Sequence, residues 1–227
     1  MRRSLLWALV LAGCTSPCVT PDPAPAGATL TGLVSAPQRL VDPTGGPDQV
    51  PIPRAEVALA NAAGQPIAGL YHAETGDGGG YAIGLLPPGY TYMVEATVPG
   101  ADGKPITLKS LAKPSREANI DLATTLVTMA VTDGLTGLPG EVDPAAFDAA
   151  SAAVRAHLTD ADIPSPSDAA AAKAKVAQLA KDDPTLATQL EQLKKQAAAP
   201  TATVDQLKTD VAKTADQDPL NALAPVY

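Results

Sequence analysis

The sequence predicts an α+β protein: a seven-stranded antiparallel β-sandwich over residues 28–123, followed by an Ala-rich helical region over residues 124–227. Three observations predict it. Between about Thr29 and Ala123 apolar residues recur with period two, in short runs broken by Gly and Pro. From Leu122 onward the spacing lengthens to that of one helical face. Two Asp-Pro pairs, Asp143-Pro144 and Asp183-Pro184, then open Ala-rich stretches as N-cap and first helical residue.

The chain begins with an export address. Arg2 and Arg3 form a basic segment and Leu5 to Ala12 a short apolar one. That stretch is too short to cross a hydrocarbon core of roughly 30 Å as a helix, so residues 1–13 read as a signal peptide. It ends in Leu11-Ala12-Gly13-Cys14, which resembles the lipobox of bacterial lipoproteins at all four positions. The resemblance implies a diacylglyceryl group on the Cys14 thiol, cleavage just before it, and anchoring to a membrane through acyl chains. Several chains anchor firmly where one does not, at about 0.8 kcal/mol per buried methylene. Thr15, rather than Asp, follows the cysteine, which by the same resemblance points to the outer membrane where an organism has one. Residues 14–27 are rich in Pro and form a semi-rigid tether. Cys18 lies in that tether as an exposed thiol or as a partner for intermolecular pairing.

Seven strands are expected next: Ala28–Ser35, Ala55–Ala60, Gly69–Ala73, Tyr81–Leu85, Tyr90–Val98, Ile106–Leu111 and Ala118–Leu122. The Pro- and Gly-rich stretch between the first two reads as a loop. In the fifth strand Met93 faces away from Tyr92 and Val94, so that strand is expected to be covered on both faces.

Within this region Gly32-Leu33-Val34, the run Pro53-Arg54-Ala55-Glu56-Val57-Ala58-Leu59, the run Thr75-Gly76-Asp77-Gly78-Gly79-Gly80-Tyr81-Ala82-Ile83, and Leu86-Pro87-Pro88-Gly89-Tyr90 running on to Ala96 follow one another. This order resembles the carboxypeptidase regulatory-like domain, whose fold is a transthyretin-like (prealbumin) β-sandwich. The match covers under half the chain. It departs from the family in the 36–51 insertion, in the extra Gly79-Gly80, and in Thr91 between the two tyrosines. The resemblance implies a module used for spacing and contacts, grouped with carbohydrate-binding-like folds. It implies no peptidase, because such domains carry none of the zinc ligands.

In the helical region Leu122, Leu126, Met129 and Ala130 share a face, with Thr124-Thr125 near the helix start. Phe147, Ala150, Val154 and Leu158 share another. Ser167 is placed to cap a helix carrying Val176 and Leu179. Leu186, Leu190, Leu193 and Ala197 line the helix after Asp183-Pro184, and Thr203 starts one carrying Val204, Leu207 and Val211. These stripes are narrow, so the helices pack on each other, lie on the sandwich, or await a partner.

Composition excludes several functions. Aromatic residues make up 3% of the chain, with Trp7 the only Trp and Phe147 the only Phe, which leaves no base-stacking surface. With 24 acidic against 16 basic residues, net −8, the chain has no electrostatic footing on nucleic acid. No nucleophile elbow, zincin or phosphate-loop motif occurs, and the two histidines, His72 and His157, lie in distant elements. Asp77 has only Glu74 as an acidic neighbour, so it reads as a turn former rather than a calcium ligand. A Lys–Asn isopeptide cross-link through Asn119 beside Glu95 fails because no lysine precedes Lys104, leaving the first strand without an amine.

No catalytic residue, metal site or cofactor is therefore expected, and the one site residue is Cys14, for lipidation. The expected function is a non-catalytic, lipid-anchored cell-envelope protein that acts as a structural or interaction module, with an envelope protein or polysaccharide as partner. The alternative is carbohydrate or peptidoglycan binding by the sandwich, with Tyr71, Tyr81, Tyr90, Tyr92 and Tyr227 as candidate stacking rings.

Overall fold

The computed structural model describes residues 27–46, 48–67, 72–114, 116–158, 164–199 and 202–216. The signal peptide, Cys14, Cys18 and nearly all of the tether lie outside the described residues, as do Tyr71 and Tyr227.

The α+β class holds, but the strands are not a single seven-stranded sandwich. Eight strands occur among the described residues: β1 (Ala28–Leu33), β2 (Ser35–Pro37), β3 (Gln49–Pro51), β4 (Glu56–Ala60), β5 (His72–Glu74), β6 (Gly80–Leu86), β7 (Tyr92–Pro99) and β8 (Pro105–Ala112). They form three antiparallel sheets: β1 with β6, β2 with β3, and a four-stranded sheet in the order β5-β4-β7-β8. Six helices complete the described chain: α1 (Gln38–Val41), α2 (Leu122–Val131), α3 (Pro144–His157), α4 (Ala169–Asp182), α5 (Pro184–Ala197) and α6 (Val204–Asp216).

Two departures from the sequence-based expectation have physical causes. The expected 36–51 loop holds β2, α1 and β3, because Ala36 and Val50 face each other across a short antiparallel ladder. The expected last strand, Ala118–Leu122, is reduced to two isolated parallel bridges on β1, Thr31 with Glu117 and Val34 with Ile120. The backbone there does pair: Ala118 N–H donates to the Thr31 carbonyl and Ile120 N–H to that of Leu33, both at 2.8 Å. Asp121 then caps α2 and draws the chain out of the ladder. Gly32 permits this approach, since a Cβ at that position would stand 2.0 Å from the Ala118 carbonyl oxygen.

Alternation divides the four-stranded sheet, which is buried over one face and, on the other, only at the end that carries Ala60, Met93 and Leu111. Val57, Leu59, Val94, Ala96, Val98 and Leu108 face the core shared with β1, β2 and β6. On the other face Ala60, Met93 and Leu111 lie side by side in register and join the helical core. Met93 is fully buried, so β7 is covered on both sides at that end, while on the same face Thr97 and Pro99 stay exposed. The next rung on that face is polar, with Lys109 and Glu95 paired at 2.7 Å.

Helix α2 is the pivot. Nine of its ten residues are buried, and α3, α4 and α5 all pack on it. It also lies along the outer edge of β8. Lys109 N–H donates to Thr125 Oγ1 at 2.8 Å, while Thr124 Oγ1 donates to the Lys109 carbonyl at 3.0 Å. Helix α6 takes a different place, setting Leu207 and Val211 into the β core beside β6. The apolar stripes of α3 to α6 therefore all pack within the chain. No helix among the described residues is long and apolar enough to cross a membrane.

Candidate functional site

The chain between β8 and α2 crosses in front of α3, and the space between them is a cleft of about 320 Å³. Local sequence positions its walls. Asp121 opens α2 with a reciprocal cap: Thr124 N–H donates to Asp121 Oδ1 at 2.8 Å, and Asp121 N–H donates to Thr124 Oγ1 at 2.9 Å. Asp143 caps α3, accepting from Ala145 N–H at 3.0 Å, with Pro144 as the first helical residue. The approach to α3 is fixed from the far side by α5. Gly140 N–H donates to the Ala197 carbonyl at 2.8 Å, and Asp143 N–H to Gln196 Oε1 at 3.0 Å.

Spacing along α3 then presents Phe147, Asp148, Ser151 and Arg155 to the cleft. Phe147, buried beside Leu111 of β8, supplies an apolar floor. Opposite stand Lys113, Arg116 and Asn119. Asn119 is held by its own amide oxygen, which accepts from Leu33 N–H at 2.9 Å.

The charges here divide into committed and uncommitted. The Arg155 guanidinium is ion-paired and hydrogen-bonded to Asp121 Oδ2, a carboxylate already engaged in the α2 cap. Lys113 Nζ is paired with Glu141 Oε1 at 2.7 Å, and that hydrogen bond holds the Glu141 carboxyl below its ordinary range. Arg116, Asp148 and Glu117 make no ion pair or side-chain hydrogen bond among the described residues, although the charge of Arg116 reaches Asp148. Burial pushes the Asp148 carboxyl up; Arg116 and Arg155 oppose that shift, and Asp143 adds to it. Ser151 is 3% exposed and its hydroxyl has no hydrogen-bond partner among the described residues.

The residues singled out from the sequence do not gather here. His72 lies on β5 and His157 at the end of α3, both exposed and in separate elements. Among the described residues no group of three or more His, Cys, Asp or Glu is placed to hold a metal ion. Asp77 is exposed and makes no side-chain hydrogen bond among the described residues; backbone closes its turn, Gly76 N–H donating to the Gly80 carbonyl and Gly79 N–H to that of Gly76. Glu95 is engaged with Lys109.

The three described tyrosines, Tyr81, Tyr90 and Tyr92, each hold the fold together. Tyr81 is buried and its hydroxyl donates to the Ala118 carbonyl at 2.6 Å, tying β6 to the segment that lines the cleft. Burial, aided by the charge of Glu117, pushes its pKa well up. Tyr92 is fully buried and donates to the Pro87 carbonyl at 2.8 Å. Tyr90 stacks obliquely on Tyr92, ring centres 6.1 Å apart, and donates to Asp210 Oδ2 of α6 at 2.6 Å. Its pKa is pushed up to about 12, first by burial and then by Asp210.

The cleft is not evident from the sequence, although part of its signal is there. Asp148, Ser151 and Arg155 stand at i, i+3 and i+7 of an otherwise Ala-rich helix, a polar stripe beside the apolar one. Arg116 carries no such signal, because its place depends on the course of the chain after β8. Comparison with protein-family models and with curated proteins finds no match for this chain.

Proposed function

We propose that this chain is a non-catalytic, lipid-anchored protein of the cell envelope that works as a structural and interaction module. The observation that carries the reading is Leu11-Ala12-Gly13-Cys14 behind a basic segment and a short apolar one. Acyl chains on Cys14 would anchor the protein, to the outer membrane where there is one, and the Pro-rich tether would hold the folded part away from the lipid.

The build of the described residues supports a module of this kind. The four-stranded sheet packs against two cores, the β core over one face and the helical core at the Ala60, Met93 and Leu111 end of the other, and α3, α4 and α5 close on α2. The β region is proposed to be a carboxypeptidase regulatory-like, transthyretin-like domain. Its support is the ordered run of motifs, together with antiparallel pairing of the strands that carry them. The alternative of sugar binding through the sandwich has less support, because the rings of Tyr81 and Tyr92 are buried and cannot stack on a glycan.

Metabolic labelling of expressing cells with an alkyne-tagged fatty acid tests the anchor. The unaltered chain is expected to take the label and partition into detergent, and Cys14→Ser to do neither. An unlabelled native chain, or label retained by Cys14→Ser, would sink the proposal.

A further inference from the structure

We propose that the cleft between α3 and the 113–119 segment binds a small zwitterion: a free amino acid or dipeptide, bearing one ammonium and one carboxylate. The argument starts from which charges are already spoken for. Arg155 is taken by Asp121, and Lys113 by Glu141. What remains is one cation, Arg116, and two carboxylates, Asp148 on α3 and Glu117 next to Arg116 in the chain; the charge of Arg116 reaches Asp148, yet the two are not joined. A guanidinium presents two parallel donors that match a carboxylate, and a carboxylate accepts from an ammonium. A molecule carrying both groups satisfies both walls at once; an anion or a cation alone leaves one charge unanswered.

The neutral lining fits the same ligand. Ser151 contributes a buried hydroxyl with no partner among the described residues. Buried polar groups are nearly always satisfied, so an orphaned one beside a cleft marks a place for a ligand atom. Phe147 beneath offers an apolar surface for a small side chain. A cleft of about 320 Å³ sits at the small end of ligand pockets, which run from roughly 300 to 1,000 Å³. The site is also locally cationic by one charge, three basic against two acidic lining residues, in a chain of net −8. This inference does not depend on the lipid anchor.

The test is titration of the purified full-length chain in detergent, followed by NMR and calorimetry. The probes are alanine, alanylalanine, N-acetylalanylalanine, alanylalaninamide and sodium acetate. The expected result is saturable binding of a free zwitterion with a Kd at or below about 10 mM, weakened at least about tenfold by blocking either end. Arg116→Gln and Asp148→Asn are each expected to weaken it to the same degree, Ser151→Ala to weaken it less, and Arg39→Gln to leave it unchanged. Absence of saturable binding by either zwitterion overturns the proposal. So does equal binding of acetate or of the blocked peptides, which would reduce the cleft to a simple ion site. The comparison of free and blocked probes uses the unaltered chain, so it decides the matter even if a variant misfolds.

Discussion

Asp121 joins three parts of the molecule through one carboxylate. It caps α2 at Thr124, takes the Arg155 guanidinium of α3, and ends the stretch that pairs with β1. Removing a cap and a buried acceptor together costs about 2 kcal/mol or more. Asp121→Ala is therefore expected to lower the urea midpoint by that equivalent, while Asp121→Asn, which keeps an acceptor for Thr124 N–H, loses less. Asp148 should behave in the opposite sense. Its folded-state pKa is raised, chiefly by burial, so ionisation disfavours the fold. The penalty is absent well below the ordinary value of 3.8 and complete once the pH has passed the raised one. Asp148→Asn should raise the thermal midpoint at neutral pH, and that gain should vanish on acidification. A melt series that showed destabilisation at neutral pH would contradict it. At this scale the caps are legible in the sequence, because a cap is a local affair: Asp143 and Asp183 cap the helices their Asp-Pro pairs announce. Where the sequence points to Ser167, the cap falls one residue on, at Asp168, whose carboxylate receives Ala171 N–H at 2.9 Å. The uncommitted groups in the cleft are not legible, since Arg116 lies in the chain between β8 and α2 while Asp148 lies on α3.

Among the elements, α6 is held differently from the other helices. Two apolar side chains, Leu207 and Val211, enter the β core, and Tyr90 reaches across to Asp210. Hydrogen bonding to Tyr90, with help from Lys213, keeps the Asp210 carboxyl below its ordinary 3.8. Its contribution is thus present above that value and lost as the pH falls through the lowered one. Tyr90 titrates near 12 against an ordinary 10.0, so its contribution is full below pH 10 and lost as the pH approaches 12. Amide exchange in α6 is expected to accelerate at both extremes before exchange in α2 does, and Tyr90→Phe is expected to abolish the alkaline limb. Exchange in α6 that tracked α2 across both limbs would refute this. The apolar faces of α3 to α6 are readable because helical spacing is a property of the segment itself. The segments β2, β3 and 117–120 are not, because each owes its conformation to backbone partners far away in sequence.

For the molecule as a whole, the four-stranded sheet is the party wall between two apolar cores. Ala60, Met93 and Leu111 serve the helical one, while their neighbours along each strand serve the β one. Met93→Ala removes a fully buried side chain from that wall and should cost about 2–5 kcal/mol. Because the wall is shared, helical ellipticity at 222 nm and tyrosine fluorescence should report one coincident transition, before and after the substitution. Separated transitions would mean that the cores unfold independently. The grip of Thr124 and Thr125 on Lys109 has a further consequence at this scale. A sheet with a bare border invites strands from other molecules, and proteins guard such borders or polymerise. At the opposite border the described strand, β5, has three residues. Two helical hydroxyls thus guard the β8 border, and Thr124→Val/Thr125→Val should raise the chain's tendency to form thioflavin-positive assemblies when concentrated. Unchanged light scattering in the double variant would show that the bulk of the helix alone suffices as the guard.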